Sequence, residues 1–255
     1  MKYKIVLIGL IFIFTINLYG IVAGEELTFS LRYEFIHAGI AKLSFNKSTY
    51  QNDRTKEIRS VYVIKSKAKT NNVFDLIHKV RDELVSTWDA QELISLKFSK
   101  KLNEGFYKQN RTIWYYPDID SLKYQSYSFK QKRYNDSIFM PIEKETQDIL
   151  SAFYFTRLQD LSVGDELFIN IAVDKKTYIA KVIVHKKEKK KTIFGKKECL
   201  VIEPILAGDA IFKQTGKIKI WVTNDEQKIP VLLKSKFIIG SFRAVLVRAE
   251  NVEEK

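Results

Sequence analysis

Leu27-Thr28-Phe29-Ser30-Leu31-Arg32-Tyr33-Glu34-Phe35 alternates apolar and polar side chains without a break, which is the two-residue period of a β-strand with one dry and one wet face. The period resumes at Ala41, Leu43 and Phe45 beyond the turn-forming His37-Ala38-Gly39, so residues 27–47 are predicted to form a hairpin. Ile58, Ser60, Tyr62 and Ile64 make a further strand, and strand-like stretches follow at 84–88, 94–98, 111–116 and 122–129, separated by polar or glycine-bearing turns. In the second half Leu167 to Val173 and Tyr178 to Val184 alternate on either side of Asp174-Lys175-Lys176 as a second hairpin. Later strands are expected at 198–203, 217–223, 230–236 and 242–247, with turns at Gly208-Asp209, Asn224-Asp225 and Gly240.

Helical spacing interrupts this pattern twice. Val73, Phe74, Ile77 and Val80 follow Asn71-Asn72, which is placed to cap a short helix. From Thr146 to Leu158, one face of a longer helix carries Ile149, Leu150, Phe153, Tyr154 and Leu158, a stripe fit to lie on a sheet, while Lys144, Glu145 and Asp148 keep its start soluble. The expected fold is mainly β with two helices: a large curved antiparallel sheet or open half-barrel packed on a helix. It forms one domain over residues 25–250, with a weakly marked sub-boundary near 135–145 and a polar tail at 251–255. With 45% hydrophobic and 13% aromatic residues the chain can bury a substantial core.

Upstream of the opening strand, Lys2 and Lys4 precede an apolar run from Ile5 to Ile16, and Val22-Ala23-Gly24 offers small residues before a cut. This is the form of an export signal covering residues 1–24, with an uncleaved anchor as the alternative. No cysteine follows it, so a lipid-modified start is not expected. The single Cys199 cannot form an internal disulfide, and its alternating flanks place it as a buried structural thiol. The formal charge of +13 favours anionic partners such as lipid head groups or cell-wall polymers. Export argues against nucleic acid and leaves the leader and the basic surface as the routes to a membrane. Lys186 to Lys191 are expected at a solvated hairpin tip.

Little in the chain carries chemistry. His37, His78 and His185 have no metal-ligand spacing, no nucleotide loop or nucleophile motif is present, and Asp118 and Asp120 read as a polar turn. No metal, cofactor or catalytic residue is therefore expected. Arg157 lies beside the stripe of the longer helix near Tyr154, where a guanidinium can hold a carboxylate or phosphate. The plainer alternative is an internal ion pair with Asp148, Asp165 or Glu166. Trp88, Trp114 and Trp221 fill the core or line a cavity.

Taken in order, several pieces of the chain resemble the bacterial domain of unknown function (DUF) 3108 family. They are Tyr33 with Ala38-Gly39-Ile40-Ala41, Asp148 with Ser151-Ala152-Phe153-Tyr154 and Arg157, Gly164-Asp165, and Gly195 with Cys199 and Glu203-Pro204. Trp221 with Thr223, Asp225 and Pro230-Val231, then Gly240 with Ala244 and Leu246, complete the set. The resemblance implies an exported bacterial protein, periplasmic or otherwise extracytoplasmic, with no catalytic residues to carry over. By fold analogy, an open barrel around a helix would look like the lipoprotein carriers. The reading is a non-catalytic envelope protein that binds an amphiphilic or anionic ligand such as lipid in a sheet-lined cavity, with Tyr33, Tyr154, Arg157 and Trp221 as ligand-binding candidates. The alternative is a structural or assembly factor that pairs with other envelope proteins or polymers.

Overall fold

The computed structural model describes residues 20–206, 218–236 and 241–252. The first hairpin is β1 (Glu25–Tyr33) and β2 (Ile36–Gln51), followed by β3 (Ile58–Thr70), α1 (Asn72–Asp75), β4 (Arg81–Asp89), β5 (Ser95–Glu104), β6 (Tyr107–Tyr116) and β7 (Ser121–Ser128). Two short strands, β8 (Arg133–Tyr134) and β9 (Ile138–Pro141), precede α2 (Ile149–Leu158). The chain then builds β10 (Glu166–Val173), β11 (Lys176–Thr192), β12 (Gly195–Leu206), β13 (Ile218–Thr223), β14 (Pro230–Lys236) and β15 (Ser241–Glu250).

These strands form one antiparallel sheet in the order β10-β11-β12-β13-β14-β15-β1-β2-β3-β4-β5-β6-β7-β8, with β9 also on β7. The first and last strands pair in its middle, Leu27 opposite Ala249 and Tyr33 opposite Phe242. The sheet ends at β10 on one side and at the short β8 and β9, both paired to β7, on the other; β9 and β10 flank α2 in sequence, so the sheet is an open barrel whose seam lies beside the helix. At that seam Gln147 bridges Ile171, and Ala172 joins a core cluster with Ile113, Tyr115, Leu122 and Tyr124.

Curvature gives α2 its place. Phe153 and Phe155 pack on the β10–β13 cluster around Ile171, Val182 and Ile202, and on the β2–β4 cluster around Phe45, Ile64 and Trp88. Leu150 reaches the seam cluster as well. Tyr154 stacks on Phe45 with ring centroids 5.0 Å apart. The helix thus takes the middle of the barrel, where a ligand cavity lined by the sheet was expected. Gly39 is required where β2 meets β3, since a Cβ there would come within 2.1 Å of the Lys69 carbonyl oxygen.

Polar contacts pin both ends of α2. Asp148, expected on the soluble side, is fully buried as the N-cap: its carboxylate accepts from the backbone N–H groups of Leu150 and Ser151 and from the hydroxyls of Ser86 and Ser95. Burial raises its pKa, the hydrogen bonds opposing. At the other end Arg157, 1% exposed, donates to both carboxylate oxygens of Glu25 at 2.7 and 2.6 Å and to the Gln227 carbonyl oxygen. Desolvation works against the guanidinium's charge, but the Glu25 carboxylate outweighs it and holds the pKa above its ordinary value.

Several expectations are corrected. Lys186 to Lys191 lie inside β11, paired with residues 196–201 of β12, because the hairpin runs on to a turn at Ile193-Phe194. α1 is a single turn capped by Asn71, and Val80 has passed into a bridge with Glu104. The partner of Arg157 is Glu25, not Asp148, Asp165 or Glu166. At the tail, Asn251 donates to the Gly24 carbonyl oxygen and Val252 packs on the core. The Gly208-Asp209 and Gly240 turns and the apolar run of the leader lie outside the described residues.

Residues 20–24, which lead into β1, are part of the body. Ile21, 5% exposed, packs with Phe45, Trp88 and Tyr154, and Gly20 lies so close to Glu226 that a Cβ would meet its carbonyl oxygen at 2.0 Å. A cut after Gly24 would take Ile21 out of the core. It would also turn the Glu25 N–H, which donates to Val22, into a charged ammonium on the residue whose carboxylate pairs with the buried Arg157. Among the described residues no helix is long and apolar enough to cross a membrane.

Candidate functional site

Because the sheet is a meander, its turns fall alternately at two ends. One end gathers the β1–β2, α1, β5–β6, β7–β8 and β10–β11 turns, and there the seam opens as a cleft of about 620 Å³. Opposite edges of the sheet supply its walls: Tyr107 to Arg111, Tyr124, Ser126 and Tyr127 on one side, Val173 to Lys176 and Tyr178 on the other. Alternation explains the lining, since Tyr124 and Ser126 share a face of β7 and Gln109 and Arg111 share a face of β6.

Four phenols (Tyr107, Tyr124, Tyr127, Tyr178) and four cations (Lys108, Arg111, Lys175, Lys176) meet one carboxylate, Asp174. Asp174 is ion-paired with Arg111, so the other three cations give the cleft its positive field. Lys175 Nζ stands 5.5 Å from the Tyr124 ring centroid. The Gln109 amide lies 2.7 Å from the Tyr107 hydroxyl, and Tyr127 packs edge-on against Phe129 and Tyr134. Burial pushes the Tyr124 phenol up, with Arg111 opposing, so it stays neutral. This set offers flat apolar faces, neutral donors and cations. It suits an anion that carries an apolar or ring-shaped part.

A second cleft of about 270 Å³ at the other end is acidic, lined by Glu92, Asp120, Glu143 and Glu145 with Lys144. Among the described residues no group of three or more His, Cys, Asp or Glu side chains is placed to hold a metal.

None of the four residues singled out from the sequence lines the seam cleft. Tyr154 and Arg157 are together, but inside, with the Tyr154 hydroxyl donating to Glu25. Trp221 is buried among Cys199, Val201 and Val231, its indole N–H donating to Glu188 at 3.0 Å. Tyr33 sits at the end of β1, edge-on to Phe74. The cleft was missed because its walls are far apart in sequence, and only closure of the barrel brings them together.

The family comparison agrees with the order of motifs, matching residues 28–247 to the family described as protein of unknown function DUF3108. The chain belongs to the DUF3108 family. Among solved structures it is similar to a β-barrel-like protein of the DUF1849 domain from Brucella abortus, with 12% identity and a TM-score of 0.60 over 91% of this chain and 98% of that one. A protein with a YmcC-like fold from Bacteroides fragilis aligns over 91% and 98% at 11% identity, with a TM-score of 0.37. Among curated proteins none matches. The family and the first of these folds place this DUF3108 chain among β-barrel-like proteins and indicate no catalytic family.

Proposed function

We propose that this DUF3108 protein is an exported, non-catalytic envelope protein that binds an anionic amphiphile in the seam cleft. Lys108, Lys175 and Lys176 meet the charged group, and the faces of Tyr107, Tyr124 and Tyr178 cover the apolar part. The observation that carries this reading is the convergence of cations and phenols from both sheet edges on one open cleft, while the barrel's middle is occupied by α2. Export rests on the apolar leader. Because Ile21 belongs to the core, the mature chain begins no later than Ile21, which N-terminal sequencing of envelope-derived protein reads directly. A start at Glu25 would contradict it.

Titration calorimetry with dihexanoyl phosphatidylglycerol, a soluble anionic amphiphile, tests the cleft. The protein is expected to bind it, and the K108Q/K175Q/K176Q variant to bind at least about tenfold more weakly, the loss of roughly 1.4 kcal/mol or more. Absence of binding, or equal binding by the variant, would overturn the reading. If crosslinking in the envelope then captured a reproducible protein partner, the assembly-factor alternative would take its place.

A further inference from the structure

Beyond the cleft, we infer that the β1–β2 turn, α1 and the β5–β6 turn at that end form a docking surface for an anionic lipid bilayer. The large side chains at the tips of these turns point into solvent: Phe106 is fully exposed, and Leu76 (88%), Phe35 (85%), Ile77 (77%), Val73 (70%) and Ile36 (60%) are nearly so. A hairpin turn has no folding reason to carry Phe, Leu or Ile at its apex, and such contiguous apolar exposure marks an interaction surface.

The tips form one rim. Asn71 ties α1 to the first turn by donating to the His37 carbonyl oxygen at 2.7 Å, and Tyr33 meets Phe74 edge-on beneath. Gly105 N donates to the Lys79 carbonyl oxygen at 2.7 Å, which joins the β5–β6 turn to the segment that follows α1. Tyr107, next to Phe106, is already a wall of the cleft.

Charge selects the occupant. Arg32, Lys69, Lys79, Lys108, Lys175 and Lys176 stand exposed around or just behind the tips. Of the nearby acids, Asp75 and Asp174 are ion-paired with Arg81 and Arg111, Glu34 accepts from the Ser241 backbone N–H and Asp82 from that of Asn103, and burial beside Asp82 raises the Glu104 pKa, so the exposed cations outnumber the acids left to oppose them. Apolar tips with a collar of long cations match the layering of an anionic bilayer, where acyl chains lie beneath a negatively charged head-group region. A protein partner would more often present a shaped, hydrogen-bonding counterface. The leader joins the body at the opposite end, where Gly20 lies against Glu226. A membrane contact of the rim is therefore distinct from one made by the leader. It places the mouth of the cleft at the lipid surface, but it rests on the exposed tips and stands even if the cleft binds nothing.

The test uses the chain's single cysteine. Cys199 is buried and its thiol is pushed up to about 11 by desolvation, so a cysteine placed at the surface is the one that takes a label. Mature protein recovered from the envelope, carrying Phe106→Cys with an environment-sensitive fluorophore, is expected to shift its emission to the blue on phosphatidylglycerol vesicles. It should not do so on phosphatidylcholine vesicles or in the absence of vesicles. The same label at Ile58→Cys, at the far end, should report no change. Adding V73S/L76S/I77S should weaken vesicle binding by at least tenfold while the circular dichroism stays unchanged. The inference is overturned if the label at 106 stays in water on phosphatidylglycerol, if the label at 58 responds equally, or if the serine variant binds unchanged. A shift that appears with protein concentration alone would show self-association instead, and would overturn it too.

Discussion

Asn52, Asp89 and Asp225 stitch the turns at one end of the barrel. Each offers a side-chain oxygen to two backbone N–H groups, those of Arg54 and Thr55, Gln91 and Glu92, and Gln227 and Lys228. At the other end the turns carry Phe35, Leu76, Ile77 and Phe106 into solvent. The stitched end also receives Ile21 and the ion pair of Glu25 with Arg157, and its cleft is acidic. The open end holds the larger, basic, tyrosine-lined cleft. One meander thus differs between its ends: one closes the fold with polar stitching, and the other carries the exposed apolar tips for which contact is proposed. Substitutions at the stitched end should unfold the protein, whereas those at the open end should change only what it touches.

The largest effect is expected from Glu25→Leu or Arg157→Met. Either leaves a buried charge with no counter-ion, which costs about 3–5 kcal/mol, read as a fall in the urea midpoint. The double substitution should cost less than the sum of the two. If Arg157→Met left stability intact, the pin at this end of α2 would be no structural feature and a ligand role for Arg157 would return. Asp148→Ala should come next: it removes the N-cap and strands the Ser86 hydroxyl, while that of Ser95 keeps its contact with the Ser151 hydroxyl, a loss of about 1–2 kcal/mol. At the open end Leu76→Ser with Phe106→Ser should stay within about 0.5 kcal/mol of the parent in the same titration. A loss as large as that of Asp148→Ala would mean that those side chains belong to the core.

The smallest effect is a pH dependence. Hydrogen bonds from Lys190 and the Trp221 indole lower the Glu188 pKa from 4.5 to about 2. A carboxylate whose folded pKa is depressed contributes stability that is present above its unfolded pKa and is lost as pH falls through the folded one. The melting temperature should therefore drop between pH 4.5 and 2 by a little more in the parent than in Glu188→Gln, the carboxylate being part-exposed. Equal slopes would deny Glu188 that role.

Much of the fold was legible in the sequence because strand alternation is local. Leu27 to Phe35, the hairpin around Asp174-Lys175 and the stripe of α2 each report their own environment within a few residues. Lys186 to Lys191 misled because a run of charge says that a segment is wet, not whether it is a turn or an outward-running strand. Glu25 escaped notice as the partner of Arg157, 132 residues away, because it abuts the leader and its side chain gives no sign of burial. The cleft was illegible for a related reason. Tyr107 and Tyr124 face Lys175 and Tyr178 only after the long antiparallel sheet has curled round α2, and no local period records that closure.

Hydrogen exchange measured with and without dihexanoyl phosphatidylglycerol tests the division of the molecule most directly. Added protection is expected at 105–111, 124–127 and 173–178, with no change at 51–57 or 223–229. Protection confined to the stitched end, or spread equally over both, would contradict it.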